Sequence, residues 1–357
     1  MILATPGPVE MSDAVRLALA RRTTSPFYDQ EFPEEYMKAA RKISEIAHFN
    51  NPAIIIPGSG SVALEAAVAT LVRRSSKAIV GVNGFFGEFL AQLFESYGAK
   101  VVRVDARPGH PLLPNYFSRV LSETGDVDFV AVVHTETSTG VDNPVREIAE
   151  VVREKSDAIV LVDAVTSLAT TDLREEWGID IAVSASYKGL GGPPGLGLVL
   201  LSDRAVEAVS ESRYKGYVLN LKLWLPVMEG GEYPYTIPVN LIYGLKAAVE
   251  EVLAEGLERV LERHRLVARF VRSSLAELGL SLLAEEVWAS NAVTAFHPPR
   301  GVDAERFRDK IREEYGVIIA GSWGRLRGKV LRIGHMGKSA DIRRMRMVIS
   351  ALRCALG

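Results

Sequence analysis

The 357-residue sequence has only one cysteine, no long apolar run and almost no excess of either charge. The single cysteine, Cys354, excludes an internal disulfide and any metal site built from several cysteines. No segment reaches the roughly 18 uncharged apolar residues of a membrane span, and the first residues lack the charged start and apolar core of a signal peptide. The net charge of −2 gives no reason to expect nucleic acid or an anionic membrane as a partner. We therefore expect a cytoplasmic protein that binds neither of them and holds no metal.

Glutamine is also scarce, since Gln30 and Gln92 are the only two, whereas arginine and glutamate are plentiful. This bias is typical of heat-adapted proteins. The remaining composition, 48% hydrophobic and 24% charged, is that of an ordinary globular protein. The length allows two domains or one large one, with enough apolar residues for a sizeable core.

Short β-rich runs alternate with amphipathic helical stretches from Ile54 to Ser202. This alternation predicts an α/β fold with a mostly parallel sheet covered by helices on both faces. Only the Lys188 loop joins the last two runs, which leaves room for one antiparallel strand at an edge of the sheet. The seven runs are Ile54–Ile56, Ala78–Val82, Val101–Val104, Phe129–Val133, Ala158–Val162, Ile181–Val183 and Leu198–Leu201.

The pattern changes after Ser202. A long helical stretch from Asn240 to about Leu278 weakens near Gly256, and short strands and helices follow it. We predict a large domain over residues 15–245 and a smaller α+β domain over residues 246–357, with the N-terminal segment 1–14 packed on the smaller one.

One stretch, DIAVSASYKGLGGPPGLGLVLL, places Lys188 between two apolar runs and beside a glycine- and proline-rich bend. Burial in such a place lowers the pKa of an amine toward its neutral form. A neutral, desolvated lysine is the nucleophile that forms Schiff bases with carbonyl compounds, pyridoxal phosphate among them. The alternative is a lysine that extends from a turn into water.

A glycine-rich turn, PGSGSVALEAAVATL, leaves a predicted strand and opens a predicted helix. The unpaired N–H groups and the dipole of the helix start form a phosphate site. Gly58 and Gly60 allow close approach of the anion, and Ser59 and Ser61 add hydroxyl donors. The pattern is neither GxGxxG nor a Walker motif, so neither a dinucleotide nor a nucleoside triphosphate is the natural ligand. A tight strand–helix connection with a serine cap is the alternative.

Asp163 follows an apolar strand directly and therefore lies at the carboxyl edge of the sheet. A partly desolvated carboxylate there needs a cationic or proton-sharing partner. For a pyridoxal cofactor, that partner is the pyridine nitrogen, which the carboxylate keeps protonated. Asp163 would otherwise cap the next helix or hold magnesium.

Three further positions add weaker signals. Thr137 and Ser138, in HTETSTGV, offer hydroxyl groups to a phenolic oxygen or a phosphate, and Phe86 offers a ring for stacking. Arg332 alternates with Leu331 and Ile333 on a short predicted strand, so it points to the opposite face from them. Such an arginine suits the two-point capture of a carboxylate. Each of these residues taken alone is also compatible with an ordinary core, loop or surface position.

Taken together, the motifs resemble the class V aminotransferases, in the branch of alanine–glyoxylate and serine–pyruvate or serine–glyoxylate aminotransferases. The resemblance covers nearly the whole chain and rests on TPGPV, PGSGSVALEA, VNGFFGE, HTETSTGV, LVDAVTSL, SASYKGLGGPPGLG, YPYTIPV and GKVLRIGHMG, in the family's order. It implies the fold-type I architecture of pyridoxal-phosphate enzymes, with a seven-stranded sheet, and a homodimer whose active sites lie at the subunit interface.

The same resemblance implies a role for each site residue. Lys188 would form the Schiff base, Asp163 would pair with the pyridinium, and Arg332 would hold the α-carboxylate of the substrate. The remaining cofactor contacts would be Ser59, Gly60 and Ser61 on the phosphate, Thr137 on the ring oxygen, Val165 and Phe86 on the ring faces, Tyr187 beside the lysine, and Tyr233 and Thr236 on the phosphate bound by the neighbouring subunit.

Two residues depart from the family's pattern. Phe86 stands where this branch often has tryptophan, and Tyr187 stands where glutamine is common. The reaction implied is ping-pong transfer of an amino group from alanine or serine to glyoxylate or pyruvate, with Lys188 carrying the proton.

Other functions remain open at this stage. A cysteine desulfurase needs a cysteine on a mobile loop, whereas Cys354 lies in an apparent terminal helix. A phosphonate-specific aminotransferase would use Arg325 or Arg327 as a second anion site. A catalytically silent binding subunit of the same fold is the third possibility, although Lys188, Asp163 and Arg332 together argue against it.

Overall fold

The computed structural model describes residues 1–357, and fourteen strands are spread along the chain. Most are short and apolar, and several end in a turn residue such as Gly, Pro or Asp, as buried strands of this kind do. They are β1 (Ile2–Leu3), β2 (Ile54–Pro57), β3 (Lys77–Val82), β4 (Lys100–Asp105), β5 (Phe129–Val133), β6 (Thr135–Glu136), β7 (Val141–Asp142), β8 (Ile159–Asp163), β9 (Ile181–Ala185), β10 (Leu196–Leu201), β11 (Val293–Phe296), β12 (Val317–Ile318), β13 (Ala320–Gly321) and β14 (Leu331–Gly334).

Twelve α-helices connect and cover the strands. They are α1 (Asp13–Leu19), α2 (Phe32–Ala47), α3 (Gly60–Leu71), α4 (Phe85–Ser96), α5 (Pro114–Thr124), α6 (Val145–Lys155), α7 (Asp203–Ser210), α8 (Leu225–Met228), α9 (Val239–Glu255), α10 (Leu257–Glu277), α11 (Ala304–Tyr315) and α12 (Ile342–Leu356). None of them is both long enough and apolar enough to cross a lipid bilayer.

The seven apolar runs predicted from the sequence form one seven-stranded sheet in the order β2-β10-β9-β8-β5-β3-β4. Strand β10 is antiparallel to both of its neighbours, and the other six strands run in one direction. The mostly parallel α/β fold is therefore confirmed. The sheet carries a single reversed strand, which lies between β2 and β9 rather than at an edge.

The direction of each strand determines the edge of the sheet at which its following loop lies. The carboxyl ends of β2, β3, β5, β8 and β9 all lie at the same edge of the sheet, where ligands of such folds bind. The glycine-rich turn, Asp163 and Lys188 follow three of these ends. Side chains that lie 25 to more than 100 residues apart in the chain are therefore brought to one edge.

The C-terminal part is built around a smaller antiparallel sheet in the order β11-β14-β13. Helices α10, α11 and α12 pack around it and around β12. The long helix predicted from Asn240 is two helices, because Gly256 separates α9 from α10 with a φ of +88° that favours glycine. Helix α12 begins at Ile342, because Asp341 caps it by accepting from the N–H of Arg344.

The N-terminal residues divide between the two parts of the chain. Strand β1 pairs in parallel with β12 of the C-terminal part, whereas α1 packs on α9. Buried apolar side chains form two main clusters, one spanning residues 32–260 and one containing Ala4 and residues 267–355. The domain boundaries themselves, 15–245 and 246–357, stay a prediction.

Candidate active site

A cleft of about 1190 Å³ opens at the carboxyl edge of the main sheet, between it and the C-terminal part. Its floor carries Lys188 and Thr137 from the large sheet, and its far wall carries Arg332 from β14. The N-terminal segment Thr5–Pro8 forms another wall. Phe86 lies at the side, so four residues named from the sequence line the same space.

Lys188 lies in the loop that joins β9 to β10, and only 7% of it is exposed. Its Nζ donates to the carbonyl oxygen of Pro6 at 2.5 Å and to Oγ1 of Thr166 at 3.4 Å. Burial lowers the pKa of this amine to about 7, and the nearby Arg332 guanidinium contributes in the same direction. A substantial fraction of the amine is therefore neutral and nucleophilic at neutral pH.

Asp163 is the last residue of β8 and lies level with Val183 of β9. Its carboxylate is buried, and Oδ1 accepts from the backbone N–H of Val165 at 2.9 Å. Burial raises the pKa of this carboxyl to about 7, and the negative charge of Glu136 raises it further. No arginine, lysine or histidine forms an ion pair with Asp163, so this buried carboxyl group is available to a cationic ligand, which would favour its ionised form.

The glycine-rich turn joins β2 to α3, and Ser59 occupies the N-cap position without capping the helix through its side chain. The N–H of Gly60 donates to the hydroxyl oxygen of Tyr187 at 3.2 Å. A Cβ atom at Gly60 would lie 2.6 Å from Cγ2 of Val165, so only glycine fits against that side chain. Ser61 is exposed at the first turn of α3. The turn, Tyr187 and Val165 therefore adjoin one another.

The hydroxyl group of Thr166 connects Thr137 to Lys188 by hydrogen bonds. Its Oγ1 is 2.6 Å from Oγ1 of Thr166, which also accepts from the Nζ of Lys188. Ser138, in contrast, directs its hydroxyl to the carboxylate of Glu136 at 2.5 Å and accepts from the N–H of Phe85. Ser138 therefore supports the loop, and Thr137 is the hydroxyl that faces the cleft.

Arg332 is 3% exposed, and all the hydrogen bonds it makes are to backbone carbonyls. Its Nε and Nη2 donate to the oxygen of Gly321 at 2.8 and 2.6 Å, and Nη1 donates to the oxygen of Thr137 at 3.2 Å. Three of its five N–H groups are used, which leaves one on each terminal nitrogen for a carboxylate. Burial lowers the pKa of this guanidinium to about 10, where it is still a cation at neutral pH.

Aromatic rings line the mouth of the cleft. Phe86 is half-buried, and its ring centroid is 5.4 Å from that of Trp323 and 5.4 Å from that of Phe85. The guanidinium of Arg332 lies 5.3 Å from the centroid of Trp323. Sequence reasoning named Phe86 alone, because Trp323 is more than 200 residues away and nothing in its local pattern marks it.

Glu136 is a second functional residue that the sequence analysis passed over. This fully buried carboxylate accepts from the N–H groups of Phe86 and Gly87 at 3.0 Å each, so it caps the start of α4. It also accepts from the N–H of Ser138 at 2.9 Å. Burial raises the pKa of this carboxyl. A carboxylate among hydroxyl residues directly after a strand, as in HTETSTG, was the signal that could have identified it.

Of the predicted site residues, only Lys188, Thr137, Phe86 and Arg332 line this cleft. The other eight are absent from its lining: Ser59, Gly60, Ser61, Asp163, Val165, Tyr187, Tyr233 and Thr236. Tyr233 packs its ring against Phe32 and Tyr36, at centroid distances of 5.9 and 5.1 Å. Thr236 is exposed beside a separate surface depression formed with Thr23 and Pro238. Their roles toward a neighbouring subunit stay a prediction.

The residues present fit pyridoxal phosphate. Asp163 supplies a buried carboxyl group without an ion-pair partner, the glycine-rich turn supplies a helix start at which only glycine fits, and Lys188 supplies a desolvated amine. Each of these features would be costly to the fold unless a ligand with a cation, an anion and a carbonyl group used it.

Comparisons with known proteins match nearly the whole chain. The model of the family described as "Aminotransferase class-V" matches residues 17–327. An uncharacterized aminotransferase of Methanocaldococcus jannaschii is 33% identical over 99% of this chain and 91% of its own length. The serine–glyoxylate aminotransferase of Hyphomicrobium methylovorum is 30% identical, over 95% of this chain and 86% of its own. The crystal structure of an alanine–glyoxylate aminotransferase from Nostoc sp. has a TM-score of 0.95 at 30% identity, covering all of this chain and 95% of that one.

Proposed function

Since the chain belongs to the class V aminotransferase family, we propose that it uses pyridoxal 5′-phosphate to move an amino group from alanine or serine to glyoxylate or pyruvate. The observation that carries this proposal is the pairing of a desolvated amine, Lys188, with a buried carboxylate, Asp163, at one edge of the sheet. The names of the serine–glyoxylate and alanine–glyoxylate relatives support the choice of donor and acceptor.

Bound pyridoxal phosphate supplies an aldehyde for the amino group and a ring that withdraws electrons from the donor's α-carbon. Lys188 would hold the aldehyde carbon through Nζ, and Asp163 would keep the ring nitrogen protonated. Ser59, Gly60, Ser61 and Tyr187 would bind the phosphate, Thr137 the ring oxygen, and Val165 and Phe86 the two ring faces.

The protein's own part in the reaction is to orient the donor and move one proton. Arg332 would take the α-carboxylate with its two free N–H groups, which fixes the α-carbon in the cleft. The free Nζ of Lys188 would then accept the α-proton, because an amine with a pKa of about 7 can both take and return a proton at neutral pH. The aromatic wall of Phe86 and Trp323 would exclude water from the reacting atoms.

We further propose that the protein is a cytoplasmic homodimer. Tyr233 and Thr236 of each protomer would reach the phosphate bound by the other, and the exposure of Thr236 away from its own cleft supports this arrangement. The exposed apolar side chains of Phe27, Tyr28 and Tyr217 would lose contact with water if they lay in such an interface.

The Lys188→Ala variant tests the proposal. We expect loss of transamination and of the visible absorbance of the bound cofactor, because no other amine occupies the cleft floor. The Lys329→Ala variant, which removes an exposed lysine, is the control. A Lys188→Ala protein that transaminates at the wild-type rate would contradict the assignment, and a colourless wild-type protein that binds no pyridoxal phosphate would favour the silent binding subunit.

A further inference from the structure

Glu136, the last residue of the short strand β6, is a carboxylate that the proposed reaction does not use. Its side chain is fully buried, does not line the cleft and forms no ion pair. A carboxylate in such a place is costly to the fold unless hydrogen bonds replace the water that it has lost. The bonds that Glu136 makes therefore indicate what it does.

Four donors share the two oxygens of this carboxylate. Oε2 accepts from the N–H groups of Phe86 and Gly87 at 3.0 Å each, and Oε1 accepts from the N–H and the hydroxyl of Ser138 at 2.9 and 2.5 Å. A carboxylate offers about four acceptor positions, so all of them are used. Burial raises the pKa of this carboxyl, and the four hydrogen bonds act in the opposite direction, because a proton on either oxygen would meet a donor.

The four bonds join two segments that carry predicted cofactor contacts. Phe86 lies in the first turn of α4, and Ser138 follows Thr137 in the loop after β6. The hydroxyl of Ser138 also accepts from the N–H of Phe85 at 2.9 Å. Glu136 therefore fixes the first turn of α4 against the loop that carries Thr137.

The packing around the carboxylate leaves it no room to move. A Cβ atom at Gly84 would overlap Cδ of Glu136 and lie 2.6 Å from Oγ of Ser138. The backbone of Gly84 is extended, with a φ of −178°, so the lack of space alone requires glycine there. On the other side, a Cβ atom at Gly87 would lie 2.8 Å from the carbonyl oxygen of Gly81. The start of α4 is thus held tightly between β3 and Glu136.

We propose that Glu136 is a positioning residue, which holds the ring of Phe86 in place for stacking on pyridoxal phosphate. The inference rests on the proposed function and adds a residue that contacts neither the cofactor nor the substrate. Without the carboxylate, the N–H groups of Phe86 and Gly87 lose their acceptor at the start of α4. That turn then shifts, and the ring it carries moves with it.

A double-mutant cycle on cofactor binding tests this role. The dissociation constant of pyridoxal phosphate is measured by absorbance titration for the wild-type protein, Phe86→Leu, Glu136→Gln and the double variant. Glutamine keeps the shape of Glu136 but turns an amide NH₂ toward two donors, and we expect cofactor binding about tenfold weaker. Phe86→Leu should weaken binding about fivefold in the wild-type background, through lost stacking. In the Glu136→Gln background its effect should be less than twofold, because the ring is already misplaced.

The Asp303→Asn variant is the matched control. The carboxylate of Asp303 accepts from the N–H groups of Glu305 and Arg306 at 3.0 Å each at the start of α11, and it does not line the cleft. This variant therefore makes the same exchange of carboxylate for amide at a helix start. Its affinity for the cofactor should stay within about twofold of the wild-type value. Circular dichroism of the bound cofactor, which reports the surroundings of its ring, should weaken in Glu136→Gln and stay unchanged in Asp303→Asn.

Ser138→Ala is a milder second variant, since it removes one of the four donors and keeps Glu136 itself. We expect cofactor binding about threefold weaker and a smaller effect of Phe86→Leu than in the wild-type background. If the Glu136→Gln chain does not fold, the same cycle with Ser138→Ala decides the question.

Two results would overturn the inference and leave the proposed function standing. One is an equal effect of Phe86→Leu in both backgrounds, which would show that Glu136 only supports the fold. The other is a loss of cofactor affinity in Asp303→Asn as large as that in Glu136→Gln. A wild-type protein that binds no pyridoxal phosphate would instead count against the proposed function itself.

Discussion

Burial shifts the pKa values of the two central ionisable residues in opposite directions and brings them to about the same value. It lowers the pKa of the Lys188 amine from the range of an exposed lysine, and it raises the pKa of the Asp163 carboxyl, both to about 7. Neither group is held in one charge state at neutral pH. Residues that must form a covalent bond or share a proton need this property, whereas an exposed lysine and aspartate lack it.

The lowered pKa of Lys188 predicts how pH controls cofactor uptake. Above pH 7 the amine is neutral and can attack an aldehyde, and the carboxylate of Asp163 is ionised in the same range, which favours binding of a cationic ring. For a pKa of 7, about one tenth of the amine is neutral at pH 6 and about nine tenths at pH 8. We expect the rate of pyridoxal-phosphate uptake by the cofactor-free protein to rise about tenfold over this interval and then to level off.

Stopped-flow absorbance between pH 5.5 and 9.5 measures this rate. An amino acid derivative with an unperturbed lysine side chain is the reference, and its rate should continue to rise through pH 9. A protein rate that follows the reference without a plateau would show that Lys188 is not desolvated.

The N-terminal segment Thr5–Pro8 forms one wall of the cleft, although it contains no helix or strand. Ala4 is bound on both sides, by its N–H to Ile318 and by its carbonyl to Gly334, and the N–H of Val9 donates to the carbonyl of Tyr187. Between these anchors, the carbonyl of Pro6 accepts from the Nζ of Lys188. The segment therefore connects the C-terminal part to the lysine loop and closes one side of the site.

The Gly7→Ala substitution tests this role. A Cβ atom at Gly7 would lie 2.5 Å from Cδ of Lys188, so the added methyl group must displace the lysine side chain. The φ of +112° adds strain of about 1–2 kcal/mol. We expect a loss of cofactor uptake of tenfold or more, measured by absorbance.

The Gly301→Ala variant is the matched control, because Gly301 has a φ of +80° but no atom within 4 Å of an added Cβ. Both variants should lose similar stability in urea unfolding, and only Gly7→Ala should impair uptake. Equal uptake in the two would mean that the N-terminal segment does not position Lys188.

At the scale of the whole molecule, the two parts of the chain contribute different charges to one cleft. The main sheet brings the lysine, the aspartate and the phosphate-binding turn, and the C-terminal part brings Arg332 and Arg308. The proposed homodimer would add Tyr233 and Thr236 across the subunit interface. Its expected mass is twice the 39.0 kDa of one chain.

Mixed dimers test the shared site. Co-expression of Lys188→Ala chains with Thr236→Ala chains should yield dimers with one intact site, since the functional lysine and threonine then meet in the same cleft. We expect half the wild-type activity with wild-type cofactor affinity, whereas the Thr236→Ala homodimer should bind the cofactor roughly tenfold more weakly. If mixed dimers bind the cofactor as weakly as the Thr236→Ala homodimer, Thr236 serves its own subunit. If the wild-type protein eluted as a monomer in size-exclusion chromatography, two subunits could not share an active site.

The sequence alone determined the strands, most helices and the chemistry at three points. Apolar runs and glycine-rich turns are local signals, because the period of a strand or helix and the backbone freedom of glycine depend on neighbouring residues. Lys188, Asp163 and Arg332 were identifiable because a charged side chain within or beside an apolar strand is costly without a partner. These signals require no knowledge of which segments meet.

Only the tertiary structure decided what surrounds these three residues. Pro6, Trp323 and Arg308 reach the cleft because strand order, the split at Gly256 and the path of the N-terminal segment bring distant segments together. Contacts between residues hundreds of positions apart leave no periodic trace in the chain, since each depends on packing that many other residues determine. The role of Lys188 could therefore be predicted from the residues beside it in the sequence, whereas the cleft walls that would select its substrate could not.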